Sequence, residues 1–296
     1  MESPEQVKSR LENIRAVEPT LSGLATLSSG TRLRAQSQAQ RVAAYQRGLL
    51  QVVAQVLPLM PREQGARSEP AMAQVELLAI GSERGLCGGF NTVIADEATR
   101  ALGSYGDGAP SVAMVAIGGR LVRALRRNGI APLWSISLSS TALPSYSVAA
   151  ELAERWLRAY DLYELDAVDV VYNRYRGLGR YVTTTLRILP PQLPSLPPAY
   201  ADWPPVIETD AQQLFARSIE LWLAAAVYDV LLQSAAAEHA ARYEVLDAAS
   251  AKAREVISEL ELQLQVARQE AITTELQDLA IGAGLVNVPG VRYPRS

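Results

Sequence analysis

From Val206 to Ile281 the chain runs for 76 residues without a glycine or a proline. At the average frequency of these residues in the whole sequence, about nine would be expected in such a stretch. Both residues disfavour helix interiors, so their absence permits one uninterrupted helix. Thr209 and Gln212 stand at capping-box spacing near its start, and Gly282, Gly284 and Pro289 follow it as terminators. At ~1.5 Å per residue, a helix from Asp210 to Ile281 is about 110 Å long. A compact globule of 296 residues has a radius of gyration of about 19 Å. The helix is therefore expected to project as a rod.

A lone rod bearing Leu260, Leu262, Leu264, Val266, Ile272, Leu276 and Leu279 would expose apolar surface and needs a partner. The N-terminal segment supplies a matching pattern. Alternating steps of four and three residues from Val7 to Val56 give fifteen positions, of which eleven are apolar. Glu18, Ser28, Arg32 and Gln46 are the polar breaks in this heptad seam. The expected fold class is thus α/β plus long helices: an antiparallel two-helix coiled coil built from the two ends, with a central Rossmann-like α/β domain. Pro19, Gly23 and Gly30 predict a kink or break near Glu18.

Charge follows the same division. Residues 1–57 carry seven basic and four acidic groups, whereas residues 206–285 carry five and thirteen. The two ends are electrostatically complementary within a chain of net charge −3, and no basic footprint for nucleic acid is present. A single cysteine, Cys87, excludes an internal disulfide and fits a reducing compartment. A single histidine, His239, argues against zinc sites and histidine-based nucleophilic catalysis. No run approaches the ~20 uninterrupted apolar residues of a membrane span, and neither a signal sequence nor a transit peptide is evident.

Between the ends the pattern changes. "VELLAI" (75–80), "VAMVAI" (112–117) and "PLWSISL" (132–138) read as buried strands, each followed by a helical stretch (91–102, 120–128 and 147–160). This alternation predicts a parallel sheet with helices on its faces. "AVDVVYNRY" and "RYVTTTLRIL" then read as a closing hairpin. Seven prolines in residues 190–205 predict a stiff connector, and residues 58–70 an entry linker. The expected domains are residues 1–57, 71–190 and 206–285, with a tail at 286–296.

After the first strand comes "GSERGLCGGFN", Gly81 to Asn91. A glycine-rich strand-to-helix turn is a common phosphate site. Here it matches neither the P-loop nor the dinucleotide fingerprint, and Glu83 would repel a phosphate. The glycines are expected to serve backbone geometry and close packing, and Cys87 to be a buried thiol. Asp166 and Asp169 read as solvated groups at a strand start. No catalytic constellation and no metal set emerges from the residues.

The stretch "GSERGLCGGFN" resembles the SD-x-GLCG-x-x-N signature of the gamma subunit of F-type ATP synthases. The run from Ser234 to Leu285 resembles that family's C-terminal helix, with "ISE", "ARQEAITTEL" and "GA" in order. "VVYNRYRGLGRYVTTTLRILP" resembles the hairpin before the family's Leu-Pro. The resemblance spans essentially the whole chain. It implies a rotor shaft: a non-catalytic central-stalk subunit, without a cofactor or transmembrane segment of its own. Its implied partners are the alpha and beta subunits of the ATPase head, the epsilon subunit and the membrane c-ring. Its implied location is the cytoplasmic face of the bacterial cell membrane, as a peripheral protein. By matching position, Arg268, Gln269, Thr273 and Glu275 are implied contacts with the beta subunits. Gly85, Leu86, Cys87 and Gly88 are implied to pack the α/β domain against the shaft.

Two features depart from the family pattern. The N-terminal helix of the family carries lysines where this chain has Pro19 and Thr31, and those lysines face acidic levers on beta. This chain also continues past "GAGL" with "VNVPGVRYPRS". Both fit a divergent or alternative-ATPase copy. Two other readings stay open on the sequence: a small-molecule-binding α/β protein with a coiled-coil dimerisation arm, and a structural coiled-coil adaptor.

Overall fold

A computed structural model describes residues 4–59, 74–105, 111–139, 142–177, 180–191 and 207–283. Helix α1 spans Pro4–Val56 and is followed by a 3-10 turn at Leu57–Leu59. Strands and helices then alternate: β1 (Gln74–Ile80), α2 (Phe90–Ser104), β2 (Ser111–Ile117), α3 (Gly119–Arg127), β3 (Trp134–Ile136) and α4 (Tyr146–Asp161). The hairpin β4 (Ala167–Gly177) and β5 (Arg180–Leu189) precedes helix α5, Ala211–Gly282. Two long helices thus flank a central α/β region. The chain divides into two compact units, Met1–Leu24 with Leu246–Ser296, and Ala25–Val245; α1 and α5 each contribute to both.

In the larger unit the five strands lie in the order β3-β2-β1-β4-β5. The first four are parallel and β5 is antiparallel to β4. Residues 75–80 of β1 and 167–173 of β4 are buried on both faces because each face is covered by helices. On one face Leu78, Ile80, Val115 and Val170 meet Trp156 of α4 and Leu223, Val227 and Leu231 of α5. On the other, Leu77, Ala79, Ala116 and Val171 meet Phe90 and Ile94 of α2, Leu121 and Leu125 of α3, and Ala237 and Ala241 of α5. Helix α5 therefore passes from one face to the other over the carboxyl ends of the strands.

In the smaller unit α1 and α5 run in opposite directions. Val7 and Leu11 pack with Leu260, joined by the partly buried Ile14, Val256, Ile257 and Leu264. Glu18, a polar break in the seam, accepts hydrogen bonds from Ser250 Oγ at 2.9 Å and Arg254 Nε at 2.8 Å. Arg15 pairs with Glu261. All fifteen seam positions from Val7 to Val56 are buried or half-buried, so the seam is the inward face of α1 along its whole length.

Several expectations are corrected. Helix α1 does not break near Glu18; it continues through Pro19. Proline removes one N–H from the ladder, and because position 19 is exposed the freed carbonyl can be hydrated. The cap of α5 is Asp210, whose Oδ1 accepts the Gln213 amide at 2.8 Å, and not Thr209. β3 is shorter than residues 132–138, and Leu133 is exposed. Asp169 is buried, not solvated: Arg187 grips it with Nε and Nη2, each at 2.8 Å, and the Tyr105 hydroxyl donates to it. An 18-residue window of α5 is apolar enough by composition to cross a membrane, but most of it is buried in the protein core. Most of the proline-rich connector (190–205), most of the entry linker and the 286–296 tail lie outside the described residues.

Candidate functional site

Two regions carry the residues singled out in the sequence: the β1–α2 turn where it meets α5, and the last turns of α5. The turn begins with Gly81, whose amide donates to the Ile117 carbonyl at 2.8 Å. A Cβ on Gly81 would stand 2.5 Å from Leu121 Cβ and 2.6 Å from Asn91 Oδ1. Gly118, at φ 105°, faces the Gly81 carbonyl just as closely. The two turns leaving β1 and β2 can touch only because neither has a side chain there. Asn91 then stitches the loop, accepting from the Ser82 amide at 2.9 Å and donating to Ser82 Oγ at 2.8 Å.

Glu83 occupies the place where a bound anion would be expected. Its Oε2 accepts from the Gly119 amide at 3.0 Å, at the N-terminus of α3, and its Oε1 accepts from the Leu138 amide at 2.8 Å. The carboxylate thus satisfies a helix-end donor, the Gly119 amide, that a phosphate would otherwise use. The order of the sheet reverses between β1 and β4, the usual ligand crevice of such sheets. Between the end of β1, the segment after β3 and α5 there is a cavity of about 40 Å³ lined by Ile80, Glu83, Ser139, Ser234, Glu238 and His239. That volume suits a water molecule, not a nucleotide.

Gly85, Cys87 and Gly88 lie against α5. The Gly85 carbonyl accepts from Arg242 Nε at 3.3 Å. A Cβ on Gly88, which has φ 56°, would sit 3.6 Å from Val245 Cγ2. Cys87 is buried in the same cluster as Ala237 and Ala241. Burial pushes its thiol above the usual cysteine range, so it stays protonated at neutral pH. Leu86 differs: it adopts φ 63° and its side chain is more than half exposed.

On α5, Arg242 also donates to Glu238, and its Nη1 lies 3.4 Å from His239 Nδ1. Burial, then the charges of Arg242 and Arg34, depress His239 to about 4, so it is neutral at physiological pH. Burial raises the Glu238 carboxyl, and Arg242 opposes that shift. The sequence reading missed Arg242 and underrated Glu83, since no local pattern shows that residues 83, 85 and 242 converge. It also missed Glu76, a buried carboxylate within β1, held by Trp156 Nε1 at 2.7 Å and Arg155 Nη2 at 3.0 Å.

Arg268, Gln269, Thr273 and Glu275 are all exposed on the last turns of α5. They alternate with Ile272, Leu276 and Leu279, each more than half exposed. Thr273 Oγ1 bonds back to the Gln269 carbonyl at 2.8 Å, which leaves the helix intact. No described residue covers this mixed polar and apolar surface. Among the described residues no group of three or more His, Cys, Asp and Glu could hold a metal.

Comparison with known proteins accords with this layout. The family model described as ATP synthase matches residues 3–284. The ATP synthase gamma chain of Geotalea daltonii is 30% identical over 293 residues, covering 96% of this chain and 98% of that protein. The gamma chain of Bacteroides fragilis is 28% identical over 291 residues, covering 96% and 99%. Among solved structures, a chain of the Tetrahymena thermophila mitochondrial ATP synthase central stalk and c-ring aligns with a TM-score of 0.56 at 20% identity. That alignment covers 78% of this chain and 99% of the other. The match runs from the first turns of α1 to the end of α5, and the chain belongs to the ATP synthase gamma-chain family.

Proposed function

We propose that this chain is the central-stalk subunit of an F-type ATP synthase, coupling ion flow through a membrane sector to conformational change in a ring of alpha and beta subunits. The end-to-end family match carries this reading. The chain is a non-catalytic subunit: it transmits work between sites held by other subunits. In the proposed division of labour, residues 1–57 and 206–285 form an antiparallel coiled coil, the shaft. Residues 71–190 form the Rossmann-like domain, and residues 286–296 a tail. The packing of Val7 and Leu11 with Leu260, and the Glu18–Arg254 pair, support the coiled coil.

The mechanism needs an asymmetric rod in a sleeve of three-fold repeats. A rod whose sides differ contacts each beta subunit differently, so each rotational position favours a different set of open and closed states. The exposed end of α5 suits this role. Arg268, Gln269, Thr273 and Glu275 are proposed to contact the beta subunits. Gly85, Leu86, Cys87 and Gly88 are proposed to seat the α/β domain on the shaft. The epsilon subunit and the c-ring are the proposed partners of that domain, at the cytoplasmic face of the bacterial membrane. Pro19 and Thr31 stand on α1 where the resemblance implies lysines, and Thr31 is buried with its hydroxyl donating to the Leu27 carbonyl at 3.0 Å.

The experiment is reconstitution of the alpha and beta subunits from the same genome with and without this chain. Co-purification and a rise in ATPase turnover are expected. Failure of the chain to co-purify, with turnover unchanged, would overturn the proposal.

A further inference from the structure

We infer that the face of the β4–β5 hairpin carrying Arg174, Arg176 and Arg180 is a docking surface for an acidic amphipathic helix of another protein. This contact goes beyond the proposed stalk role and does not depend on it. Helices α4 and α5 cover one face of the sheet as far as β4, where Val170 and Tyr172 are buried. The helical layer stops there. Leu186, the cross-strand neighbour of Val170, is 44% exposed, and Val182, the neighbour of Arg174, is 49% exposed. By the two-residue period of a strand, Arg180, Val182 and Leu186 share one face of β5. The charges of Arg174 and Arg176 are both felt by Tyr172 on that same side. A basic cluster thus adjoins an uncovered apolar strip.

All three arginines are exposed, and among the described residues none of them forms an ion pair. Asp229 of α5 feels Arg174 but is bonded to Gln233 instead. The hairpin is held rigid from its other face. Arg32 Nη1 donates to the Tyr175 hydroxyl at 2.7 Å, Thr183 Oγ1 donates to Asn173 Oδ1 at 2.7 Å, and Tyr181 meets Phe90 edge to face. The guanidinium groups therefore stand on a preorganised arm, which lowers the cost of binding. Their forks suit carboxylates. Arg174 and Arg176 are separated by two strand residues, about 7 Å, close to the spacing of carboxylates at i and i+4 on a helix. The groups lie on the face of the sheet and not along its edge, so a helix extending the α4–α5 layer fits better than an added strand. Val182 and Leu186 call for apolar side chains beside those carboxylates, which an extended nucleic-acid backbone lacks.

The test is fluorescence anisotropy of labelled probes with the full chain. The first probe is a synthetic helical peptide with glutamates at i and i+4 flanked by leucines, and the second is a scrambled peptide of the same composition. Duplex DNA and phosphatidylglycerol vesicles serve as phosphate polyanions. The ordered peptide is expected to bind saturably, at least about fivefold more tightly than the scrambled one. Replacing the three arginines together by Gln should weaken it by about tenfold or more, and Val182→Ser with Leu186→Ser by about threefold. These five side chains are exposed, so thermal unfolding of both variants should match wild type; Arg176→Gln alone should weaken binding by about twofold. No saturable binding of the ordered peptide below about 1 mM, equal binding of the scrambled peptide, or indifference to the arginine variants would overturn the proposal. Tighter binding of DNA or vesicles than of the ordered peptide would also overturn it, and would mark the patch as a phosphate site.

Discussion

The carboxylate of Glu83 lies 3.0 Å from the amide nitrogen of Gly119, at the first turn of α3. An acidic side chain from the glycine-rich turn fills a position that many α/β proteins leave open for a phosphate. Replacing Glu83 with Ala would leave the Gly119 and Leu138 amides without their partner. The expected cost is about 1–3 kcal/mol in chemical unfolding of the full chain. Calorimetric titration of the wild-type chain with ATP should be flat; stoichiometric binding would contradict this account of the turn.

Glycine substitutions should separate by position. A methyl group at Gly81 would collide with Leu121 Cβ and Asn91 Oδ1, and Gly81→Ala is expected to destabilise by about 1–3 kcal/mol. Gly23 and Gly30, within α1, have nothing within 4 Å of the added atom. Gly23→Ala or Gly30→Ala should therefore raise stability by about 0.5–1 kcal/mol. Thermal unfolding of the three variants checks the ordering.

Pairing of α1 with α5 can be tested by comparing Leu260 with Leu262. Leu260 is 3% exposed among Val7 and Leu11, whereas Leu262 is 63% exposed. Leu260→Asp buries an unpaired charge and should cost more than about 2 kcal/mol, with loss of helicity by circular dichroism. Leu262→Asp should stay within about 0.5 kcal/mol of wild type. Equal effects would refute the pairing.

Asp169 sets part of the acid stability. Burial alone would raise its carboxyl, but the Arg187 fork and the Tyr105 hydroxyl outweigh it and hold the group below the usual range. A depressed folded value means the stabilisation is present above the unfolded value, near 4, and fades as pH falls through the folded one. Asp169→Asn should lose about 3 kcal/mol at pH 7 and show a flatter loss of stability below about pH 4. Denaturant midpoints across pH 2–7 measure both.

The two long helices and all five strands were legible because their signals are local. A missing breaker over residues 206–281 and a heptad seam from Val7 need no tertiary knowledge. Paired strands such as "VELLAI" announce burial through composition alone. The glycine-rich turn was legible only as a negative, since Glu83 argued against a phosphate without revealing what it binds instead. Arg242, Glu76 and the Asp169–Arg187–Tyr105 cluster were not legible. Each is a long-range contact, between residues 18 to 157 positions apart, whose meaning depends on strand order and on where α5 crosses the sheet. Pro19 misled for a related reason: its local cost is real, but burial along the rest of the seam outweighs it.

The most direct measurement of the coupling role is single-molecule rotation. A bead is attached through a cysteine introduced at the exposed Arg127 in α3, with the alpha and beta subunits fixed to glass and ATP supplied. The account predicts rotation in one direction with three pauses per turn. A bead that stays still, or jitters without direction while ATP is being hydrolysed, would contradict it.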